Sequence, residues 1–290
     1  MKQLAILSGK GGTGKTSITA SFAVLAKKAV VADCDVDAPD LHILLHPEVI
    51  KAQEFTGSNM AVIDKGKCTK CGSCREKCNF DAINSDLEVG AIVCEGCGVC
   101  KYFCPMGAIA LTPRVSGKAF ISKTKYGFMS HAKLNPGESN SGKLVTMVRQ
   151  NAKILAEKEN CDLVIIDGSP GIGCPVIASI TGVDAALVVT EPTMSGIHDL
   201  ERVLKLLDHF NVSPFVCVNM YDINTNITNK ILSFCKDSKI DVVGIIPFNP
   251  EVTLAMVKGK TIVEYSPEGY IAEEIMNMWK KLSLFLGINI

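Results

Sequence analysis

The sequence has no surplus of charge of either sign: its 290 residues carry 30 basic and 30 acidic side chains, for a formal net charge of +0. Nucleic-acid binding requires a basic footprint, so DNA and RNA are not expected ligands. Nor does any stretch reach the roughly 18 consecutive apolar residues that span a bilayer, and a membrane is not an expected partner. Residues 1–9, Met-Lys-Gln-Leu-Ala-Ile-Leu-Ser-Gly, leave no room for a charged segment, an apolar segment and a cleavage site, so the expected location is the cytoplasm. Thiols stay reduced there. The 13 cysteines are therefore read as metal or redox chemistry before disulfides. The chain is long enough to bury one large domain plus a small one.

What is present begins with apolar runs rich in Val, Ile, Leu and Ala at 3–7, 29–32, 163–166, 186–189 and 215–218. Continuous runs of this kind suit strands buried on both faces. Between them, 15–28, 143–158, 197–209 and 226–236 are long enough for crossover helices. The expected fold class is α/β, a doubly wound, mostly parallel sheet. The pattern breaks over about 62–112, a segment short of apolar periodicity. It reads as an insertion, giving a first domain part at 1–61, the insert at 62–112 and a second part at 113–290. Residues 113–142 are expected to form a hairpin or loops ahead of the helix at 143.

Eight cysteines define the insert. Cys68, Cys71, Cys74 and Cys78 follow the spacing C-x2-C-x2-C-x3-C, and Cys94, Cys97, Cys100 and Cys104 repeat it 26 residues later. Thiolates at this spacing hold iron–sulfur clusters. Zinc, which also accepts C-x2-C pairs, is the alternative, although it does not usually need three close cysteines plus a fourth, twice. The module resembles a bacterial-type ferredoxin with two 4Fe-4S clusters. That resemblance implies Cys68, Cys71, Cys74 and Cys104 as ligands of one cluster and Cys78, Cys94, Cys97 and Cys100 as ligands of the other. One departure from the pattern is Asn79, where a proline such as Pro105 is expected.

The second motif is Gly9-Lys-Gly-Gly-Thr-Gly-Lys-Thr16, a G-x4-G-K-T loop between an expected strand and an expected helix. Glycines let backbone amides wrap phosphate oxygens, Lys15 reaches the terminal phosphates, and the Thr16 hydroxyl coordinates Mg2+. Gly9, Lys10, Gly11, Gly12, Thr13, Gly14, Lys15, Thr16 and Ser17 are the expected nucleotide contacts. The second lysine, Lys10, gives the loop its resemblance to the deviant Walker A ATPases, the group of MinD, ParA, Mrp-type iron–sulfur carriers and the nitrogenase iron protein. In that family the extra lysine reaches across an ATP-sandwich dimer, so the resemblance implies a homodimer with Lys10 and Lys15 in catalysis.

Further stretches match in order. Asp33-Cys-Asp-Val-Asp-Ala-Pro39 resembles switch I, with Asp35 orienting the attacking water and Asp33 or Asp37 as the other assignments. Leu163-Val-Ile-Ile-Asp-Gly-Ser-Pro-Gly171 resembles Walker B and switch II, with Asp167 holding Mg2+ and Gly171 near the γ-phosphate. Phe215-Val-Cys-Val-Asn219 and Gly244-Ile-Ile-Pro247 resemble the segments that frame adenine, through Asn219 and Pro247. The resemblance covers about 1–60 and 113–290.

Three features stand outside these motifs. Cys174 is expected to be a packed or redox-sensitive switch residue. Arg114, Lys118, Lys123, Lys125 and Lys133 form a basic run, read as solvated surface or as a docking face for an acidic partner. Ile275, Trp279, Leu282 and Phe285 have helical spacing, and packing of that helix on the sheet is expected over membrane binding.

Together these readings give an ATP- and Mg2+-dependent ATPase that couples nucleotide state to electron transfer through two 4Fe-4S clusters, with a redox protein as partner. The alternatives are a carrier that delivers clusters to an apoprotein acceptor, and a MinD- or ParA-like positioning ATPase with redox sensing.

Overall fold

The computed structural model describes residues 1–138 and 141–288. The chain opens with β1 (Lys2–Leu7), α1 (Lys15–Leu25), β2 (Ala29–Asp33), α2 (Leu41–Leu45) and β3 (Glu48–Ile63). The cysteine segment follows, with α3 (Ser73–Glu76) and α4 (Val99–Tyr102), and leads into β4 (Ile109–Thr124) and β5 (Gly127–Leu134). Next come α5 (Ser141–Lys158), β6 (Leu163–Asp167), α6 (Cys174–Ile180), β7 (Ala185–Thr190), α7 (Met194–His209) and β8 (Ser213–Asn219). The chain continues through α8 (Thr225–Asp237), β9 (Asp241–Ile246), α9 (Pro250–Val257), α10 (Ile262–Tyr265) and α11 (Tyr270–Leu286).

Two compact units divide these elements. The first takes Met1–Ala52, Phe120–Ala132 and Ser141–Ile290, the second Gln53–Ala119 and Lys133–Asn140. The second is wider than the expected insert at 62–112. Part of the added width is β3 from residue 53 on, where only Phe55 and Ala61 are buried. Two buried residues six apart leave little hydrophobic alternation to read.

In the first unit β5, β2, β6, β1, β7, β8 and β9 lie side by side in that order. All six adjacent pairs are parallel. Every residue of β2, β6 and β7 is buried, which is why those segments read as unbroken apolar runs. One core cluster joins Leu4, Ile6, Ile165, Leu187 and Cys217 of the sheet to Ile18 and Phe22 of α1 and to Ile275, Trp279 and Leu282 of α11. Trp279 sits 5.2 Å from the Phe22 ring, and Lys281 Nζ donates to the Val243 carbonyl at 3.0 Å. The C-terminal helix thus packs on the sheet. Among the described residues no helix is long and apolar enough to cross a membrane.

The second unit repeats itself at a spacing of 26 residues. Gly72 and Gly98, with φ of 79° and 82°, precede α3 and α4, positions at which a side chain would be strained. Cys68 N donates to the Asp64 carbonyl as Cys94 N does to that of Gly90, both at 3.0 Å. Ala82 N donates to Cys78 Sγ at 3.4 Å, and Ala108 N to Cys104 Sγ at 3.3 Å. Cys74, Cys94 and Cys100 form a small core with Ala61, Ala82, Ile83 and Ile109.

Candidate functional site

Parallel strands end together, and here the carboxyl ends of β1, β2 and β6 converge: Ile6 and Asp33 both stand in register with Asp167. In open α/β sheets this edge is where ligands bind. The loop from Gly9 turns over it with Gly12 at φ 82° and Gly14 at φ 89°, left-handed values that glycine alone adopts without strain. A Cβ on Gly14 would also meet Asn219 Nδ2 at 2.4 Å. Asn219, at the end of β8, donates from that nitrogen to the Thr13 carbonyl at 2.8 Å and accepts from Met220 N at 3.0 Å. Its amide therefore ties the loop to the sheet.

Lys15, the first residue of α1, is buried among carboxylates. Its Nζ lies 2.9 Å from Asp167 Oδ1 and 3.9 Å from Asp35 Oδ2. Burial works against its charge, but Asp167, with Asp35 and Asp33 behind it, outweighs that and raises its pKa. Thr16 Oγ1 donates to Asp167 Oδ2 at 2.9 Å and Thr19 Oγ1 to Oδ1 at 2.7 Å, so both carboxylate oxygens are engaged. Asp33 is pushed well above the usual carboxylate range by burial and then by the Asp167 charge. Burial also raises Asp35. Asp33 Oδ2 and Thr13 Oγ1 are buried without a hydrogen-bond partner among the described residues. Such orphaned atoms mark a place where a further polar group completes the structure.

A cavity opens over this cluster, lined by residues 11–17, Asp35, Asp37, Ser169, Pro170 and Pro175. A second is walled by Asn219, Met220, Pro247, Phe248 and Ile271. Both are bordered by Gly12, Gly14, Ser17 and Met256. One side is polar and charged, the other mostly apolar, an arrangement suited to a molecule with an anionic end and a flat, apolar end. Gly171 ties the loop after β6 to the residue following β1, its N–H donating to the Ser8 carbonyl at 2.9 Å. Cys174 is exposed at the start of α6, and a Cβ on Gly142 would approach it to 3.1 Å.

Lys10 is placed differently from the rest of the loop: its Nζ lies 2.5 Å from Glu191 Oε1 on the segment after β7. Glu191 was not foreseeable, because an acid after an apolar run carries no periodicity. Thr19 was missed too, although a hydroxyl one helical turn after Lys15 is a readable position.

In the second unit, Cys68, Cys71, Cys74 and Cys104 line one small cavity, with Ile63, Met106 and Ile109. Cys78, Cys94, Cys97 and Cys100 line another, with Phe80, Ile83 and Val99. All eight are free thiols. Among the described residues no three His, Cys, Asp or Glu side chains converge closely enough to hold a single metal ion. Of the basic run, Arg114 is spent on Glu138 at 2.9 Å and Lys125 on Glu264 at 3.3 Å.

The sheet order, the glycine-rich turn onto α1 and the buried lysine define a phosphate-loop nucleotide-binding protein. The CobQ/CobB/MinD/ParA nucleotide binding domain family matches residues 4–262, and the chain belongs to it. An uncharacterized protein of Methanocaldococcus jannaschii is 35% identical over 288 residues, 98% of this chain and 97% of its own. The iron–sulfur cluster carrier protein of Aquifex aeolicus is 24% identical over 298 residues, 97% of this chain and 66% of that one. Among solved structures, the septum site-determining protein MinD complexed with Mg-ADP from Pyrococcus horikoshii OT3 shares the fold. Its TM-score is 0.61 at 16% identity, covering 99% of this chain and 97% of that one.

Proposed function

We propose that this chain is a magnesium-dependent ATP hydrolase whose second unit carries two 4Fe-4S clusters, and that nucleotide turnover governs what the clusters do. The observation that carries the first part is the buried Lys15 held between Asp167 and Asp35 under a glycine-turned loop. Lys15 and the loop amides bind phosphate oxygens, Thr16 and Asp167 hold Mg2+, and Asn219 and Pro247 frame the base. Asp35, lying on the cavity wall, orients the attacking water. Lys10 acts in a homodimer, as the family resemblance implies.

For the second part, support comes from two cavities each walled by four thiols, with N–H groups aimed at Cys78 and Cys104 sulfur. Four thiols at this spacing suit a 4Fe-4S cluster better than zinc, which does not usually need three close cysteines plus a fourth, twice. Cys68, Cys71, Cys74 and Cys104 would hold one cluster and Cys78, Cys94, Cys97 and Cys100 the other. When bound, such clusters supply one-electron chemistry or transferable iron and sulfide.

Three uses follow. Carriage of clusters to an apoprotein acceptor has the support of the Aquifex aeolicus relative, which bears that function in its name. Electron transfer to a redox protein rests on the ligand sets alone, each completed within one chain. That one name favours carriage; beside it stands a positioning ATPase with redox sensing, which the relatives named MinD favour. Anaerobic reconstitution, an iron count and transfer to an apoprotein with and without MgATP test the reading. MgATP-dependent transfer supports carriage; retained clusters whose potential shifts with MgATP support electron transfer; absence of bound iron refutes the second part outright.

A further inference from the structure

Gly11–Ser17 line the phosphate-side cavity, but the Lys10 ammonium lies elsewhere. It is 2.5 Å from Glu191 Oε1, 3.2 Å from Ser195 Oγ and 3.5 Å from Thr193 Oγ1. Two glycines impose this approach. A Cβ on Gly9 would stand 2.3 Å from Asp199 Cβ, so the start of the loop packs directly on α7. A Cβ on Gly196 would stand 2.3 Å from the Glu191 carbonyl oxygen, so the segment carrying Glu191 is drawn tightly over the first turn of that helix. Thr193 fixes the same turn by accepting from Gly196 N at 3.0 Å. These close packings give Lys10 an acidic seat within its own chain.

An ammonium seated on a carboxylate is withheld from a phosphate oxygen. We propose that Glu191 is a positioning residue, a latch that holds Lys10 in its own chain until the phosphates of bound MgATP, or those in a second copy, compete it away. The proposal rests on the ATPase reading. The side chains are 36% and 16% exposed, so the pair is partly screened and a polyanion can displace it.

The test is equilibrium MgATP binding against nucleotide concentration, at low and high salt, for the wild-type chain, Glu191→Gln, Lys10→Ala and the double variant, with hydrolysis followed for the wild type. Glu191→Gln should lower the half-saturating MgATP concentration about 2- to 5-fold, the size an ion pair of this exposure supports. The shift should shrink at high salt and vanish when Lys10 is absent, which a merely structural role of Glu191 would not produce. Ser195→Ala should shift it in the same direction by less, and decides the matter if Glu191→Gln unfolds. Equal half-saturation in wild type and Glu191→Gln, or a shift that persists without Lys10, overturns the latch. A wild-type chain that does not hydrolyse MgATP overturns the ATPase reading and the latch with it, so the two failures are distinct.

Discussion

Replacing Lys15 by alanine removes the cation that allows three carboxylates to share one buried edge of the sheet. Lys15 sits 2.9 Å from Asp167 and 3.9 Å from Asp35, with Asp33 beside them. Breaking a buried pair from one side costs about 3–5 kcal/mol, because the remaining charge has neither water nor a partner. The cost must depend on pH. Asp33 and Asp35 already bind a proton more tightly folded than unfolded. Stability from this source is complete below the unfolded carboxylate value, about 3.9, and is lost as pH rises through the raised folded values. Without Lys15 those values climb further and the loss extends to higher pH. Protonating one carboxylate relieves at most about 1.4 kcal/mol per pH unit. The variant should therefore be about 3–5 kcal/mol less stable than wild type at pH 8, with the deficit narrowing as pH falls to 6. Urea unfolding followed by fluorescence measures this for the first unit alone, since Trp279 is the single tryptophan and is buried there. A deficit below about 1 kcal/mol, or one that is the same at both pH values, would refute the charge argument. ATP binding should be lost while any bound iron is unchanged, because the eight cysteines of the two runs belong to the other unit.

Gly14→Ala should destabilise the chain by about 2–4 kcal/mol, combining strain at positive φ with loss of the Asn219–Thr13 tether. Gly11→Ala, with nothing within 4 Å of its Cβ, should stay within about 0.5 kcal/mol of wild type; equal melting temperatures for the two variants would contradict the geometry. Cys97→Ser should remove the iron of one cluster and leave the other, read by anaerobic iron analysis and paramagnetic resonance, and unchanged iron would contradict the ligand grouping. Trp279→Ala should cost about 3–5 kcal/mol by opening a void against Phe22, followed by circular dichroism; a small loss would mean that α11 contributes little to the core.

Legibility followed burial. β1, β2, β6, β7 and β8 were readable because both faces are covered, so their residues are apolar without interruption. β3 was not, since its mostly exposed residues obey no period, and with it went part of the true extent of the second unit. The site divides in the same manner. Lys15, Thr16 and Asp167 announce themselves by motif, because phosphate chemistry restricts residue types at fixed spacing. Asn219 and Glu191 act through partners 206 and 181 residues away in the chain, Thr13 and Lys10, and no local pattern encodes such pairs.

The cysteines show where spacing ends and folding begins. Two identical runs state how many thiols there are, but spacing alone leaves open whether each run closes on itself. In the folded second unit Cys104 joins Cys68, Cys71 and Cys74, while Cys78 joins Cys94, Cys97 and Cys100. Each wall thus draws one residue from the other run, so neither repeat can form a complete site without its copy. Loss of either run must then damage both walls, whereas loss of one cysteine damages one. That asymmetry explains why a duplicated segment survives here as a single unit with one shared small core, Cys74 and Cys100 packed with Ala82, Ile83 and Ile109, and not as two independent beads on the chain.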